Sequence, residues 1–386
     1  MRAWAEVNLD AIAQNIRSIR KITNPNAKLL TVVKADAYGH GFLDVSKTMI
    51  ESGADYLGVA TFDEAKQIRS HNINVPIMII GAIMDSDIEN IIKLDIIPTV
   101  FDKDTAKRIS DRASLLKKNA KIHIKLDTGM TRIGFVCGDD DSSTVNDILE
   151  ISKMPHIEID GIFTHFARAD EKDKSYTKTQ FEKFKNVCDK LEEKGLKIPI
   201  KHVCNSGGII QFPEYHLDMV RCGIIGYGYY PSEEVDKNTL PLEPAMTFKT
   251  VVTNIKDVPS NTAISYGGTY ITDKKMKIAT IAIGYADGYS RVLSNKASVI
   301  INGKKARLVG NICMDQTMVD VSDFDDVKIG DEVILFGKSG NNMITVVSVA
   351  DIIGTINYEI LCVVGKRVPR VYIKNGKFTN VLNYLV

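Results

Sequence analysis

Between residues 29 and 224 one pattern recurs eight times: an apolar run of four to six residues, then a stretch with helical periodicity. The runs are 29–33, 56–60, 77–80, 97–100, 122–126, 161–164, 201–204 and, least sharply, 219–224. Short runs without polar alternation suit parallel strands covered on both faces. Segments 63–71, 102–118 and 174–194 read as helices, the last stopped by Gly195, a residue that favours the position just past a helix end. Eight such repeats predict a (β/α)8 TIM-like barrel, with its chemistry at the carboxyl ends of the strands.

The pattern ends at residues 231–245, which carry three prolines, a cluster of charges and no periodicity. Beyond them the runs 247–258, 276–283, 297–309 and 331–336 alternate and are rich in β-branched residues, and Asn302-Gly303 marks a two-residue hairpin,. The expectation is two domains, a barrel over 1–238 and a mostly antiparallel C-terminal β domain over 239–386. The 49 basic and 48 acidic side chains leave a net charge of +1, so nothing argues for nucleic acid or an anionic membrane as partner. The six cysteines form no CxxC pair and read as reduced thiols of a cytoplasmic protein,. The longest apolar run, 75–84, is about half the ~20 residues a membrane span needs, and no signal peptide is expected.

The strand ends are chemically loaded. Lys34 closes the first strand, where partial desolvation favours a neutral amine able to form a Schiff base. Lys125 lies at the fifth, His165 at the sixth, Asn205-Ser206 at the seventh and Arg221-Cys222-Gly223-Ile224 at the eighth. The loops after the last two strands are the habitual phosphate site of such barrels, and Asn205-Ser206-Gly207-Gly208 offers a hydroxyl and close backbone approach. Strand five has one polar face, Lys121, His123, Lys125 and Asp127, and Lys125 would repel nearby Arg132 unless a carboxylate intervenes or the lysine is modified. His123, His165 and His202 raise the alternative of a metal-dependent barrel hydrolase. Without carboxylate partners, and with Lys34 where such enzymes carry a His-x-His pair, they read as a hydrogen-bond network.

Taken together these residues resemble the alanine racemase family, fold-type III pyridoxal 5′-phosphate enzymes. The resemblance runs through Val33-Lys34-Ala35-Asp36-Ala37-Tyr38-Gly39-His40-Gly41, residues 125–134, Thr164-His165-Phe166-Ala167, residues 202–206 and Arg221-Cys222-Gly223-Ile224. In the second half it continues through Ser265-Tyr266-Gly267, residues 283–288, residues 310–315 and Tyr358-Glu359. It implies that Lys34 holds the cofactor as an aldimine, that Tyr38, Asn205, Ser206, Tyr358 and the backbone of Gly223 and Ile224 bind around its phosphate, and that Arg221 pairs with its ring nitrogen, with His165 nearby. It further implies Tyr266 as the second base, supplied by the other subunit of a homodimer, Arg132 and the Met314 main chain as substrate contacts, and Lys125 as a possible carbamate. The activity implied is two-base interconversion of L- and D-alanine, supplying D-alanine for peptidoglycan. A serine or broad-specificity racemase of the same fold is the alternative. Phenols titrate near ~10 in water, so a tyrosine base needs cationic neighbours, and the resemblance implies that the His165, Arg221 and His202 positions form the network that supplies them.

Overall fold

A computed structural model describes residues 1–138 and 140–386, and the chain divides into two compact units. One comprises Ala11–Ala37 and Phe42–Pro244, the other Met1–Asp10, Tyr38–Gly41 and Ala245–Val386.

The first unit is the expected barrel. Strands Lys28–Val32, Tyr56–Val59, Ile77–Ile79, Ile96–Val100, Ala120–Asp127, Ile157–Phe163, Ile200–His202 and Met219–Cys222 follow one another around it, and the last pairs in parallel with the first. The ring is nearly closed. Between the seventh and eighth strands, Asp218 N donates to Lys201 O (3.1 Å) and Arg221 N to Cys204 O (3.0 Å) in place of a full ladder. Tyr56–Val59 and Ile96–Val100 are buried at every position, which is why they read as unbroken apolar runs. The helices carry their own start signals: Asp102 accepts from Thr105 N, and Thr61 and Glu64 form a reciprocal capping box ahead of Phe62–Ser70,.

The second unit is built on the 13-residue strand Met246–Val258, which pairs antiparallel with Ala3–Asn8, Met276–Ile281 and Glu332–Ser339. Asn302 and Gly303, at φ 47° and 75°, make the predicted tight hairpin between Ser298–Ile301 and Lys304–Arg307. Two features escape the sequence reading. Ala3–Asn8 is a strand with alternate residues buried, pairing parallel with Arg370–Lys374. Helices Val346–Ile353 and Asn357–Cys362 interrupt the β pattern.

Candidate active site

Lys34 follows the first barrel strand and opens a turn of the wrong hand. Ala35, Asp36, Ala37 and Tyr38 all have φ between 50° and 55°, a left-handed path that costs L-residues roughly 1–2 kcal/mol each. Local hydrogen bonds hold it: Ala37 N donates to Val33 O (2.9 Å), Phe42 N to Asp36 Oδ1 (2.9 Å) and Ala35 N to Glu64 Oε1 (2.6 Å). Glu64 also accepts from Ala60 N (2.8 Å) and Thr61 N (3.3 Å) through Oε2. One carboxylate therefore ties the residue after Lys34 to the loop behind the next strand. A glutamine here turns one acceptor into a donor facing an N–H. Glu64→Gln is expected to lower stability by about 1–3 kcal/mol, read as a fall in the urea midpoint; an unchanged midpoint would mean the carboxylate holds nothing.

Arg221 is the hub of the barrel's polar interior. It lies on Met219–Cys222, a strand buried throughout. Its Nη1 donates to His202 Nδ1 (2.8 Å) and His202 O (3.2 Å), and its Nη2 donates to Thr164 O (2.8 Å), Val203 O (3.0 Å) and, at 3.4 Å, His165 Nδ1. Nε takes no partner among the described residues. Burial draws the guanidinium down to about 10, which leaves it a cation at neutral pH. Burial and the charge of Arg221 hold His165 and His202 well below the ordinary histidine range, and Lys125, Arg132 and Lys34 act on His165 in the same sense. Both imidazoles are neutral, so of the three expected cationic neighbours only Arg221 carries a charge.

Lys125 is buried on Ala120–Asp127, 4.5 Å over the Phe163 ring, and its Nζ has no hydrogen-bond partner among the described residues. Burial, then the charges of Arg221 and Arg132, hold this amine well below the usual lysine range. Arg132 itself is exposed.

Ser206 is buried and its Oγ accepts from Gly223 N (3.1 Å), so its own hydrogen is left to donate elsewhere. Ile224 opens the 3-10 turn Ile224–Tyr227, with its N–H outside the turn's own bonds. Asn205 is used differently: Oδ1 accepts from Gly208 N (3.0 Å) and Nδ2 donates to Phe166 O (3.0 Å). Both ends of that amide shape the loop that presents Ser206.

The β unit holds the remaining candidates. Tyr38 is buried, its ring centroid 6.1 Å from that of Tyr358. Its segment is seated by Arg370 Nε donating to Gly39 O (2.8 Å) and Tyr372 OH donating to His40 O (3.1 Å). A side chain at Gly39, φ 78°, would put its Cβ 2.3 Å from Leu361 O. Tyr266 and Met314 come together through backbone knitting. Ser265 Oγ donates to Asn311 O (2.6 Å), Asn311 Nδ2 to Tyr266 O (2.7 Å), Tyr285 N to Cys313 O (3.1 Å) and Ala286 N to Met314 O (3.1 Å). The Met314 N–H has no acceptor among the described residues. Tyr266 and Met314 are 70% and 52% exposed.

The expected histidine network is present in part, as His123 Nδ1 and His202 Nε2 lie 2.9 Å apart while His165 joins only through Arg221. The sequence reading missed Glu64. Its one local signal, the Thr61-x-x-Glu64 capping box, says nothing of the reach to Ala35.

Residues 7–231 match the family model described as alanine racemase, N-terminal domain, and residues 245–372 the one described as alanine racemase, C-terminal domain. The alanine racemase of Clostridium perfringens (strain SM101 / Type A) is 52% identical over 99% of this chain and 98% of its own length. Among solved structures, the alanine racemase of Clostridium difficile 630 superposes with a TM-score of 0.95 at 44% identity, covering 100% of this chain and 99% of that one. The same organism's enzyme in complex with cycloserine gives 0.93 at 42% identity, with the same coverage.

Proposed function

The chain belongs to the alanine racemase family and interconverts L- and D-alanine, and we propose that it does so with pyridoxal 5′-phosphate carried on Lys34 and with Lys34 and Tyr266 as opposed bases. The observation that carries this reading is Arg221, a buried guanidinium whose two Nη atoms are spent on the protein while its Nε–H is not. That donor suits an unprotonated ring nitrogen. Ser206 Oγ–H and Ile224 N–H suit a phosphate in the same unit, with Tyr38 and Tyr358 as its phenol donors. The cofactor, when bound, supplies an electron-accepting ring that makes the Cα hydrogen of an attached amino acid acidic.

The protein's part is to hold and move protons. Arg221 does not surrender its own at neutral pH, so its Nε–H would hold the ring nitrogen by donating a hydrogen bond without protonating it, and would limit how far negative charge could be drawn into the ring. Lys34 Nζ takes the Cα proton on one face and Tyr266 Oη serves the other, because racemisation needs a donor opposite the acceptor. Arg132 and the Met314 N–H hold the substrate carboxylate. The exposed Tyr266, Ile271, Tyr285 and Met314 side chains support a face covered by a second copy, so we read the enzyme as a homodimer whose sites borrow Tyr266 from the partner. It acts in the cytoplasm to supply D-alanine for peptidoglycan; no helix among the described residues is long and apolar enough to cross a membrane.

Lys125 fits a carbamate. A neutral amine attacks carbon dioxide, the N–C bond forms, one N–H proton leaves to solvent, and the new anion faces Arg132 in place of an orphaned amine. Labelled bicarbonate should give a carbamate carbon resonance in wild type that Lys125→Ala lacks; no resonance at saturating bicarbonate would exclude it. The function itself is tested by a chiral assay with alanine against serine, together with borohydride bleaching of the protein's visible colour. Faster turnover of serine would favour the broader racemase reading.

A further inference from the structure

Beyond Arg221, a line of buried polar groups continues into the barrel, and one arrangement of hydrogens satisfies all of its contacts. A guanidinium can only donate, so His202 Nδ1, 2.8 Å from Arg221 Nη1, is unprotonated and neutral His202 carries its hydrogen on Nε2. That hydrogen points to His123 Nδ1 at 2.9 Å, which must accept, leaving the His123 hydrogen on Nε2. His123 Nε2 has no hydrogen-bond partner among the described residues and faces Asp160 Oδ2 at 3.6 Å. Both imidazoles are fully buried, and the Phe163 ring stacks on His202 with centroids 4.7 Å apart and planes 7° off parallel.

The far end of this line is built, not incidental. Along the ladder between Ala120–Asp127 and Ile157–Phe163, Ile122 sits opposite Ile159 but His123 sits opposite Gly161, so Asp160 is an extra residue in its strand. Bulges are rare between parallel strands and re-aim a side chain where they occur. The next residue is glycine for a reason: a Cβ on Gly161 would lie 2.4 Å from Cε1 and 2.6 Å from Nδ1 of His123. The bulge brings a carboxylate to the ring, and the glycine makes room for the ring. Lys121 Nζ, 3.5 Å from Asp160 Oδ1, adds a positive charge on the solvent side.

We propose that Asp160 is a positioning residue for racemisation: through His123 and His202 it fixes the tautomers that orient Arg221, and so keeps the Arg221 Nε–H turned to the cofactor's ring nitrogen. The proposal rests on the reading of Arg221 given above. Without the carboxylate, His123 is free to take its hydrogen on Nδ1. Two hydrogens then confront each other between the histidines, or between His202 and Arg221, and the guanidinium loses a partner it can satisfy.

The test uses the holoenzyme labelled with 15N at histidine. Wild type should show His123 and His202 as the Nε2-protonated tautomers. Asp160→Ala should mix them, shift the visible absorbance of the bound cofactor, and lower kcat on the order of tenfold, the scale set when a buried N–H loses the anion it faces, with KM for alanine nearly unchanged. Asp160→Asn keeps an acceptor and should restore the tautomers and most of the rate. Gly161→Ala, which displaces the His123 ring and spares the carboxylate, should resemble Asp160→Ala. Unchanged tautomers in Asp160→Ala, or altered tautomers with kcat and absorbance unmoved, would overturn the proposal. Failure of the cofactor reading looks different: wild-type protein with these tautomers and no visible absorbance.

Discussion

Lys34→Ala should abolish racemisation, by at least ~10⁴-fold, and leave the fold intact. The size follows from what the proposed mechanism loses at once: the amine that would carry the cofactor and the base on one face of the substrate, where general base catalysis alone is worth about 10²–10⁴. The intact fold follows from the position. Lys34 is only half-buried at the end of its strand, and backbone N–H groups of Ala35, Ala37 and Phe42, which the substitution leaves in place, hold the left-handed turn after it. The variant should therefore unfold at nearly the wild-type urea midpoint and show no borohydride-sensitive colour. A chiral assay in both directions reads the activity. Turnover retained without any added amine would remove Lys34 from the mechanism.

That turn also marks where the sequence stops being readable. Ala-Asp-Ala after a strand predicts nothing left-handed, since alanine is the strongest right-handed helix former and the nearest glycine is Gly39. The strain is visible only beside its compensation, and Glu64 lies in a different loop. The same contrast holds for the fold. Barrel strands such as Tyr56–Val59, Ile77–Ile79 and Ile96–Val100 were legible because they are buried at every position, so their composition alone marks them. Ile157–Phe163 begins four residues before its apolar run, at 161, because Glu158 and the bulged Asp160 interrupt it. Ala3–Asn8 was hidden for another reason: its partners include Thr250 and Arg370, and six residues carry too little pattern to reveal pairing at such separation.

Of the candidate site, motif resemblance nominated Arg221, His165 and Ser206, while the hydrogen bonds they make were not legible in the sequence. Strand alternation put His123 and Lys125 on one face of the fifth strand, and both are buried. Alternation could not say that one would pair with His202 while the other lay over Phe163 with no hydrogen-bond partner among the described residues. Those outcomes depend on neighbours across the barrel, which no local window contains.

Tyr266→Phe should slow net racemisation equally in both directions while exchange of the Cα hydrogen becomes strongly unequal between the enantiomers. The first half is thermodynamic: enantiomers have equal free energy, so a catalyst cannot speed one direction over the other at equilibrium, and each full turnover needs both bases. The second half separates the bases. Return of a solvent deuteron to the enantiomer that lost its proton needs one base only, so exchange from the enantiomer served by Lys34 should persist while exchange from the other falls by about 10²–10⁴. The substitution is clean, because the turn around Tyr266 is fixed by Ser265 Oγ and Asn311 Nδ2 through main-chain oxygens and not by the phenol, and the ring is exposed. Deuterium incorporation into each recovered enantiomer reads the result, and equal losses would sink the two-base scheme. The same variant tests whose tyrosine is used. Mixed with Lys34→Ala under subunit exchange, it should regain activity if Tyr266 crosses between copies, because a mixed dimer then has one intact site and one site lacking both groups. With random pairing of equal amounts, about one quarter of the wild-type sites return; if each chain used its own tyrosine, every site would lack one base and the mixture would stay inactive.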